Sequence, residues 1–541
     1  MQGTLLKNLN TPENRLPSQY HDTIDAVLWI KNQALDRVNG EKWLRKYGDF
    51  SRCYLYGVSC GGNIAFNSTL KLLNKKLEPL RINGAILNQP LFGGKMRTKS
   101  EMRLATDPFF PLPVIDVLWD FALLKGTDRD MFFPIVKKDP STLQYITQIH
   151  QRTPLVPVKF AVHIGSENLW VDCETGFKSS TYKPARCDSR QCNLARSTAC
   201  GDCNTENTTR PGCNNNACYN IVSNPAMNTF FSGGEIAEDV LTIQSINGSI
   251  PAPESRGPVV TVSNFIFSCS PSFFTQNLGK NVKGMIGFGQ QSAVSFVTQL
   301  ASAFKFSRQF AICLSSSTQQ NGIIFIGHRP YIFALGFDAS RDLIYTPIIT
   351  YPNFFLINRG SPEYYIQVTS ITINEKSLAL NKTLLSLDEN EENGTKFSTA
   401  VPYTVLEPSI YNVVSKAFIS EMPKDVKTVS TVQPFKTCFD STYVGMSRLG
   451  YNAPKIDLVL HKPNVRWTIT GANSLVKVSN RVVCLAFVER NQMFEQAIVI
   501  GGFQMHDNLV EFDLARRRIG FSNSLYFHQT TCSNQFYTMG N

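Results

Sequence analysis

Hydrophobic positions change their period once along this 541-residue chain. Between residues 18 and 37, Ile24, Val27, Leu28 and Leu35 recur at helical spacing behind Pro17, which predicts a helix opening after the proline. The short apolar run Cys53-Tyr54-Leu55-Tyr56 predicts a strand. A helical stretch through Leu72 follows, then a second strand with its exit loop over 84–90. Beyond residue 139 short alternating or apolar runs follow one another with turn residues between them. Examples are 259–267, 323–326, 364–373, 456–460 and 482–488. Such density of strands predicts an all-β architecture, and its length predicts two lobes rather than one. The reading is therefore an α/β fragment at 1–130 and a mainly β domain at 131–541, with lobes at about 139–335 and 336–541. Asp130 to Asp139, holding Pro134 and Lys137-Lys138, is the expected seam.

Composition sharpens this division. Hydrophobic residues make 43% and charged residues 18%, which excludes disorder and predicts sizeable cores. The net charge of +11 is spread along the chain with no basic block, so no nucleic-acid partner is expected. Only Cys53 and Cys60 precede residue 173. The other twelve cysteines are Cys173, Cys187, Cys192, Cys200, Cys203, Cys213, Cys218, Cys269, Cys313, Cys438, Cys484 and Cys532. Glycosylation sequons at Asn207, Asn247, Asn381 and Asn393 share that stretch, against one at Asn67 before it. An even, dense cysteine set with sequons reads as disulfides made in the secretory route, whereas two lone cysteines read as reduced thiols. The N-terminus shows no signal peptide, and no run of about 18 apolar residues predicts a membrane span.

The first module carries one chemical motif. Gly57-Val58-Ser59-Cys60-Gly61 sits between the predicted strand and helix, the context of a nucleophile elbow, in which a strained turn lifts Ser59 Oγ clear of the sheet. The N–H of Cys60 would give half of an oxyanion hole. The alternative is a glycine-rich turn with a bystander serine. Together with Thr11–Pro17 and Arg97–Glu101, the motif resembles plant carboxylesterases of the α/β-hydrolase family. The resemblance covers only the middle of such a protein and fades near Asp130. It implies an H-G-G-G loop upstream and an acid and a histidine downstream, none of which matches here, so Ser59 stands as an orphan and esterase activity is not expected.

The second module resembles pepsin-like aspartic proteinases. Val162-His163-Ile164-Gly165-Ser166 with Leu169-Trp170-Val171 is similar to the first catalytic loop. Gly284–Gly289 is similar to the G-I-L-G-L-G turn, and Val499–Phe503 with Ile519-Gly520-Phe521 to the C-terminal signature. The fold class implied is mainly β, a bilobal pepsin-like aspartic proteinase fold preceded by a truncated α/β-hydrolase fragment. The chemistry does not follow. Such enzymes need two carboxylates sharing one proton. Here His163 holds the first position and Ser398, within Gly394–Ala400, the second. Proteolysis by that mechanism is not expected, and Asp172 lies off the motif. A new Ser398–His163 pair would still need an orienting acid; drift after loss of catalysis is the plainer reading.

A narrower resemblance rests on Arg152–Val158, Tyr182–Cys187, Arg210–Asn214 and Gly471–Ser474. These are similar to the plant group of TAXI-type xylanase inhibitors, extracellular dermal glycoproteins and basic 7S globulins. The resemblance implies twelve paired cysteines, no cofactor, no metal and an extracellular, apoplastic location. Cys200, Cys203, Cys213 and Cys218 could alternatively suggest zinc, but no histidine lies among them. It also implies microbial glycoside hydrolases, of xylanase or xyloglucanase class, as partners. A glycosidase cleft holds two carboxylates. A cation on a braced loop would pair with them, and Arg359 and Arg448, both flanked by glycine or a glycine two residues away, are the candidates. A solvated surface arginine is the plain alternative for each. Two other function classes stay open: a storage or receptor-like globulin of basic 7S type, and a hydrolase, either an aspartic endopeptidase or a Ser59 carboxylesterase.

Overall fold

A computed structural model describes residues 18–91, 103, 107 and 131–533, apart from 37, 74, 198, 204–208, 247–255, 328, 334–336, 351–360, 389–392 and 492–495. The backbone separates into two compact units, Met1–Thr127 and Asp128–Asn541.

In the first unit, helices α1 (Ser18–Leu35) and α2 (Lys42–Tyr47) precede strand β1 (Cys53–Val58), helix α3 (Cys60–Leu72) and strand β2 (Ile82–Asn88). The two strands pair in parallel, from Tyr54 opposite Gly84 to Val58 opposite Asn88. Ile24 and Val27 of α1, Leu72 of α3 and Leu80 make a small core against one face of this ribbon. The other face leaves Tyr54, Tyr56, Val58 and Ile86 exposed. Parallel sheets are normally covered on both faces, so this unit buries only part of what such a sheet needs to bury.

The second unit is built from many short strands and two long ones, Thr229–Ile246 and Arg256–Ser270, which pair with each other. β3 (Met131–Phe132), β4 (Ile135–Lys138), β5 (Tyr145–Gln151), β6 (Val156–His163) and β7 (Trp170–Asp172) open a large sheet. β4 pairs with β5 and with Asn321–Ile326, so the residues read from sequence as a seam form strands of this unit. β6 runs parallel to Val282–Gly287, with His163 opposite Gly287. The end of the chain returns to the same sheet: Leu509–Asp513 pairs with Gln309–Cys313 on one side and Arg518–Phe521 on the other. Disulfide Cys313–Cys532 pins that return. The second lobe centres on a five-stranded sheet of Tyr364–Ile366, Thr395–Phe397, Ile498–Ile500, Thr404–Leu406 and Phe487–Glu489.

An aromatic column ties the lobes together. Phe310 of the first lobe stacks on Phe512 with centroids 4.6 Å apart, and Tyr364 meets Phe512 edge-on at 4.6 Å. Phe397 and Trp467 extend the column into the second lobe. Aromatic pairs in these geometries contribute about 0.5–1.5 kcal/mol each beyond the area they bury.

Two apolar runs that read as single strands are each two. Within 364–373, strands Tyr364–Ile366 and Ser370–Ile373 belong to different sheets, because Thr369 donates its N–H and hydroxyl to Val459 and Leu460 and redirects the chain. Within 482–488 the break is at Ala486, whose N–H goes to Ser474 O.

Candidate functional site

Ser59 occupies a strained turn between β1 and α3. Its φ of 52° lies in the left-handed region, which a non-glycine residue adopts only when its surroundings hold it there. The glycines permit this. A Cβ on Gly57 would lie 1.9 Å from Gly61 O, and one on Gly62 2.8 Å from Pro90 Cβ. Ser59 N–H donates to Asn88 O, and its carbonyl accepts from Gly62 and Leu91. The serine is exposed, yet its hydroxyl makes no capping hydrogen bond. His21, in α1, is the one histidine before residue 128. The backbone of an elbow is present; among the described residues no hydrogen bond joins the Ser59 hydroxyl to a histidine or a carboxylate.

The loops carrying His163 and Ser398 meet in the middle of the second unit. Thr399, 2% exposed, donates its hydroxyl to Val162 O at 2.7 Å and accepts Ile164 N–H at 3.2 Å. One side chain thus clasps the residues on either side of His163. Ile164 has no hydroxyl to return the bond, so the clasp is one-sided. Ser398 is held by its own N–H to Ile500 O, and its hydroxyl accepts from Ala400 N–H at 3.2 Å, turned into its own loop.

Two groups that carry no recognisable motif complete the site. The Glu363 carboxylate lies across Gly165, where an added Cβ would sit 1.9 Å from Oε2. Its Oε1 receives Lys396 Nζ at 3.3 Å, with both side chains 19% exposed. Glu363 Oε2 and His163 Nδ1 are both buried without a hydrogen-bond partner among the described residues. Burial pushes the His163 pKa below the ordinary imidazole value; Glu363 pulls it up and Lys396 pushes it further down. The result is a neutral imidazole beside a carboxylate–ammonium pair and a hydroxyl. It contains no pair of carboxyls able to share a proton. Asp172 is committed elsewhere: 1% exposed, it accepts from Ser272 Oγ at 2.8 Å, pairs with Lys283 at 3.2 Å and caps the Glu174–Thr175 turn. Glu363 directly precedes a Tyr-Tyr strand, and nothing in its spacing marked it.

Arg448 projects from a tight hairpin. Met446–Ser447 pairs with Gly450–Tyr451 across the two residues Arg448 and Leu449, and Gly450 supplies the positive φ of 87°. The hairpin is braced from below: Leu449 O accepts Ala472 N–H at 2.8 Å, and Gly471 packs so closely on Tyr451 O that a Cβ would come within 1.8 Å. Arg448 is exposed and makes no ion pair among the described residues; Met446, on the same hairpin, is 70% exposed. Arg359, Asn207 and Asn247 lie outside the described residues. Asn381 caps a short helix through its Oδ1 and is exposed, whereas Asn393 donates its amide to Asp388 at 3.0 Å.

Six disulfides join Cys173–Cys269, Cys187–Cys200, Cys192–Cys218, Cys203–Cys213, Cys313–Cys532 and Cys438–Cys484. The Cys200/Cys203/Cys213/Cys218 cluster is consumed by three of them, so it offers no thiolate to a metal. Cys53 and Cys60 are free. Such density of disulfides fits a protein folded in an oxidising compartment. No described helix is long and apolar enough to cross a membrane.

Comparison with known proteins finds three family matches, the first two along the chain overlapping at residues 145–152. Residues 145–328 match the xylanase inhibitor N-terminal family and residues 363–523 the xylanase inhibitor C-terminal family, while residues 10–152 match the alpha/beta hydrolase fold. The chain is 45% identical to a probable aspartic proteinase GIP2 of Nicotiana benthamiana, over 76% of this chain and 92% of that protein. A crystal structure of edgp superposes with a TM-score of 0.72 at 47% identity, covering 75% of this chain and 98% of the other. That of conglutin gamma, a basic 7S globulin from lupine seeds, gives 0.66 at 37%, covering 76% and 100%. The chain belongs to this xylanase-inhibitor-type family of pepsin-like proteins, with an α/β-hydrolase-like segment before it.

Proposed function

We propose that the second unit is a proteolytically silent, extracellular binding protein that inhibits microbial cell-wall glycanases of the xylanase or xyloglucan-endoglucanase class. The observation that carries this reading is the Arg448 hairpin: an exposed guanidinium with no ion pair among the described residues, at the two-residue tip of a hairpin that also carries exposed Met446 and half-buried Leu449, on a base locked by Gly450 and Gly471. A cation presented with apolar shoulders on a rigid base suits a cleft lined with carboxylates, since little conformational entropy is lost on binding. Neutral His163 and the self-bonded Ser398 support the loss of proteolysis. An apoplastic location agrees with the six disulfides.

The test is titration of the full chain, made in a secretory host, against fungal xylanases and xyloglucan endoglucanases. Near-stoichiometric loss of activity is expected. Arg448→Ala should weaken inhibition at least tenfold, about 1.4 kcal/mol, and Arg359→Ala, made in parallel, gauges the second candidate. Full inhibition by a double variant lacking both arginines would overturn the role of these loops. A folded protein that inhibits none of the panel would favour a storage or receptor-like globulin, a class supported by the likeness to conglutin gamma.

A further inference from the structure

Positive charge that is scattered along the sequence is gathered by the fold at one end of the large sheet of the second unit. Gln309, the first residue of its strand, lies opposite Asp513, the last of its own; Asp513 lies opposite Arg518, and Arg518 opposite Pro347. Four neighbouring strands therefore end at one level. The backbone beyond that level is knitted together as well. Arg308 O accepts the N–H groups of Leu514 and Ala515, and Arg517 O accepts that of Ile348. Gly327 N–H reaches Gln309 O, which brings Arg329 to the same end. Lys305, the left-handed cap of helix Phe296–Phe304, precedes Arg308 by three residues.

Six cations thus share this end: Lys305, Arg308, Arg329, Arg516, Arg517 and Arg518. The strands contribute two carboxylates, Glu511 and Asp513, and neither is exposed. Glu511 is taken by Arg329, Tyr345 and Gln309. Asp513 is shared between Arg516 and Arg518, each at 3.1 Å. Arg518 and Arg329 also both lie over the Tyr345 ring, at 4.0 and 5.4 Å from its centroid. These inner two arginines are fixed and act as a floor. Lys305, Arg308 and Arg517 remain exposed with no ion pair among the described residues, and the Arg516 side chain is 62% exposed. With strands about 4.8 Å apart, the backbone carrying these guanidinium and ammonium groups is gathered at one end of the sheet, and the two carboxylates of those strands are buried behind it.

We propose that this end of the sheet is a docking surface for an acidic polysaccharide, a polymer with one carboxylate on each successive sugar. Guanidinium forks match carboxylates in geometry as well as charge. A regular polyanion gains from a row of cations by releasing its counterions. The six disulfides place the protein where acidic glycans, rather than nucleic acids, are the polyanions met. The surface shares no residue with the Arg448 hairpin, so binding a wall polymer and binding a glycanase would not compete for the same residues.

The test uses the full chain and three immobilised polymers: polygalacturonate, the same polymer fully methyl-esterified, and duplex DNA. Binding to polygalacturonate is expected to be at least tenfold tighter than to either other polymer, and to weaken steeply between 50 and about 200 mM salt. Combined Arg308→Ala, Arg516→Ala and Arg517→Ala should reduce it at least tenfold, while the corresponding three lysine substitutions, which keep the charge and lose the fork, should weaken it less. Lys305→Glu with Arg308→Glu, confined to a different element, provides a second variant should the triple one misfold. Arg448→Ala should leave this binding unchanged. Equal retention of the esterified polymer, or undiminished binding by the folded charge variants, would overturn the proposal. Tighter binding of DNA would replace it with a general polyanion surface.

Discussion

Thr399→Val tests whether the one-sided clasp between the two central loops holds them together. Valine keeps the shape of threonine but removes the hydroxyl that joins Val162 O and Ile164 N–H. Both groups are then left in a site that is only 2% exposed at residue 399. An unsatisfied buried donor costs about 1–3 kcal/mol, and a carbonyl that loses one of its bonds costs less. The sum expected is about 2–4 kcal/mol. For a unit of this length the unfolding entropy is roughly 0.9 kcal/mol/K, so the melting temperature should fall by about 2–5 °C. Differential scanning calorimetry of the full chain with disulfides intact reads that shift. Native-state hydrogen exchange reads the local effect, and the Ile164 amide should lose protection out of proportion to its neighbours. Thr399→Ser, which keeps the oxygen, should melt within about 1 °C of the parent. A valine variant that melts like the parent, with the Ile164 amide still protected, would show that the loops are held by packing alone and refute the argument.

Two further expectations concern pH and the first unit. His163 and His506 are both held neutral by burial, the second also by Lys138, while Glu363 favours the charged form of the first and Lys396 opposes it. Their folded values lie below the unfolded value of about 6.5, so below that pH the unfolded chain binds more protons. Stability should therefore fall as pH drops from about 6.5 toward 5, at up to roughly 2.7 kcal/mol per unit for the two sites together. Urea midpoints of the parent and of His163→Gln check this; a variant with the same pH slope would exclude His163 as a contributor. In the first unit, turnover of a p-nitrophenyl ester by the parent and by Ser59→Ala should be indistinguishable, because no hydrogen bond joins the hydroxyl to a base among the described residues. A clear loss in the alanine variant would show a working nucleophile.

Much of the architecture can be read without coordinates, because short-range rules control it. The period of apolar positions separates an α/β segment from a β domain, and the glycines of 57–62 foretell a strained turn that L residues resist. That His163 and Ser398 are not aspartates, at the two positions the pepsin-like resemblance assigns to the dyad, is equally plain. The resemblance to xylanase-inhibitor-type proteins was carried by motifs quoted residue by residue, and the family matches cover the same stretch. What sequence could not decide was which distant groups meet. Strand breaks at Thr369 and Ala486 arise from hydrogen bonds to Val459, Leu460 and Ser474, partners about 12–90 residues away that leave no local trace. Glu363 and Lys396 reach His163 only because two sheets converge there. Charge behaved likewise: a +11 excess with no basic block along the chain becomes a cationic edge once hairpin and sheet register bring Arg308 beside Arg516–Arg518. Periodicity determines which face of each element is buried; only the pairing of those faces determines which charges become neighbours.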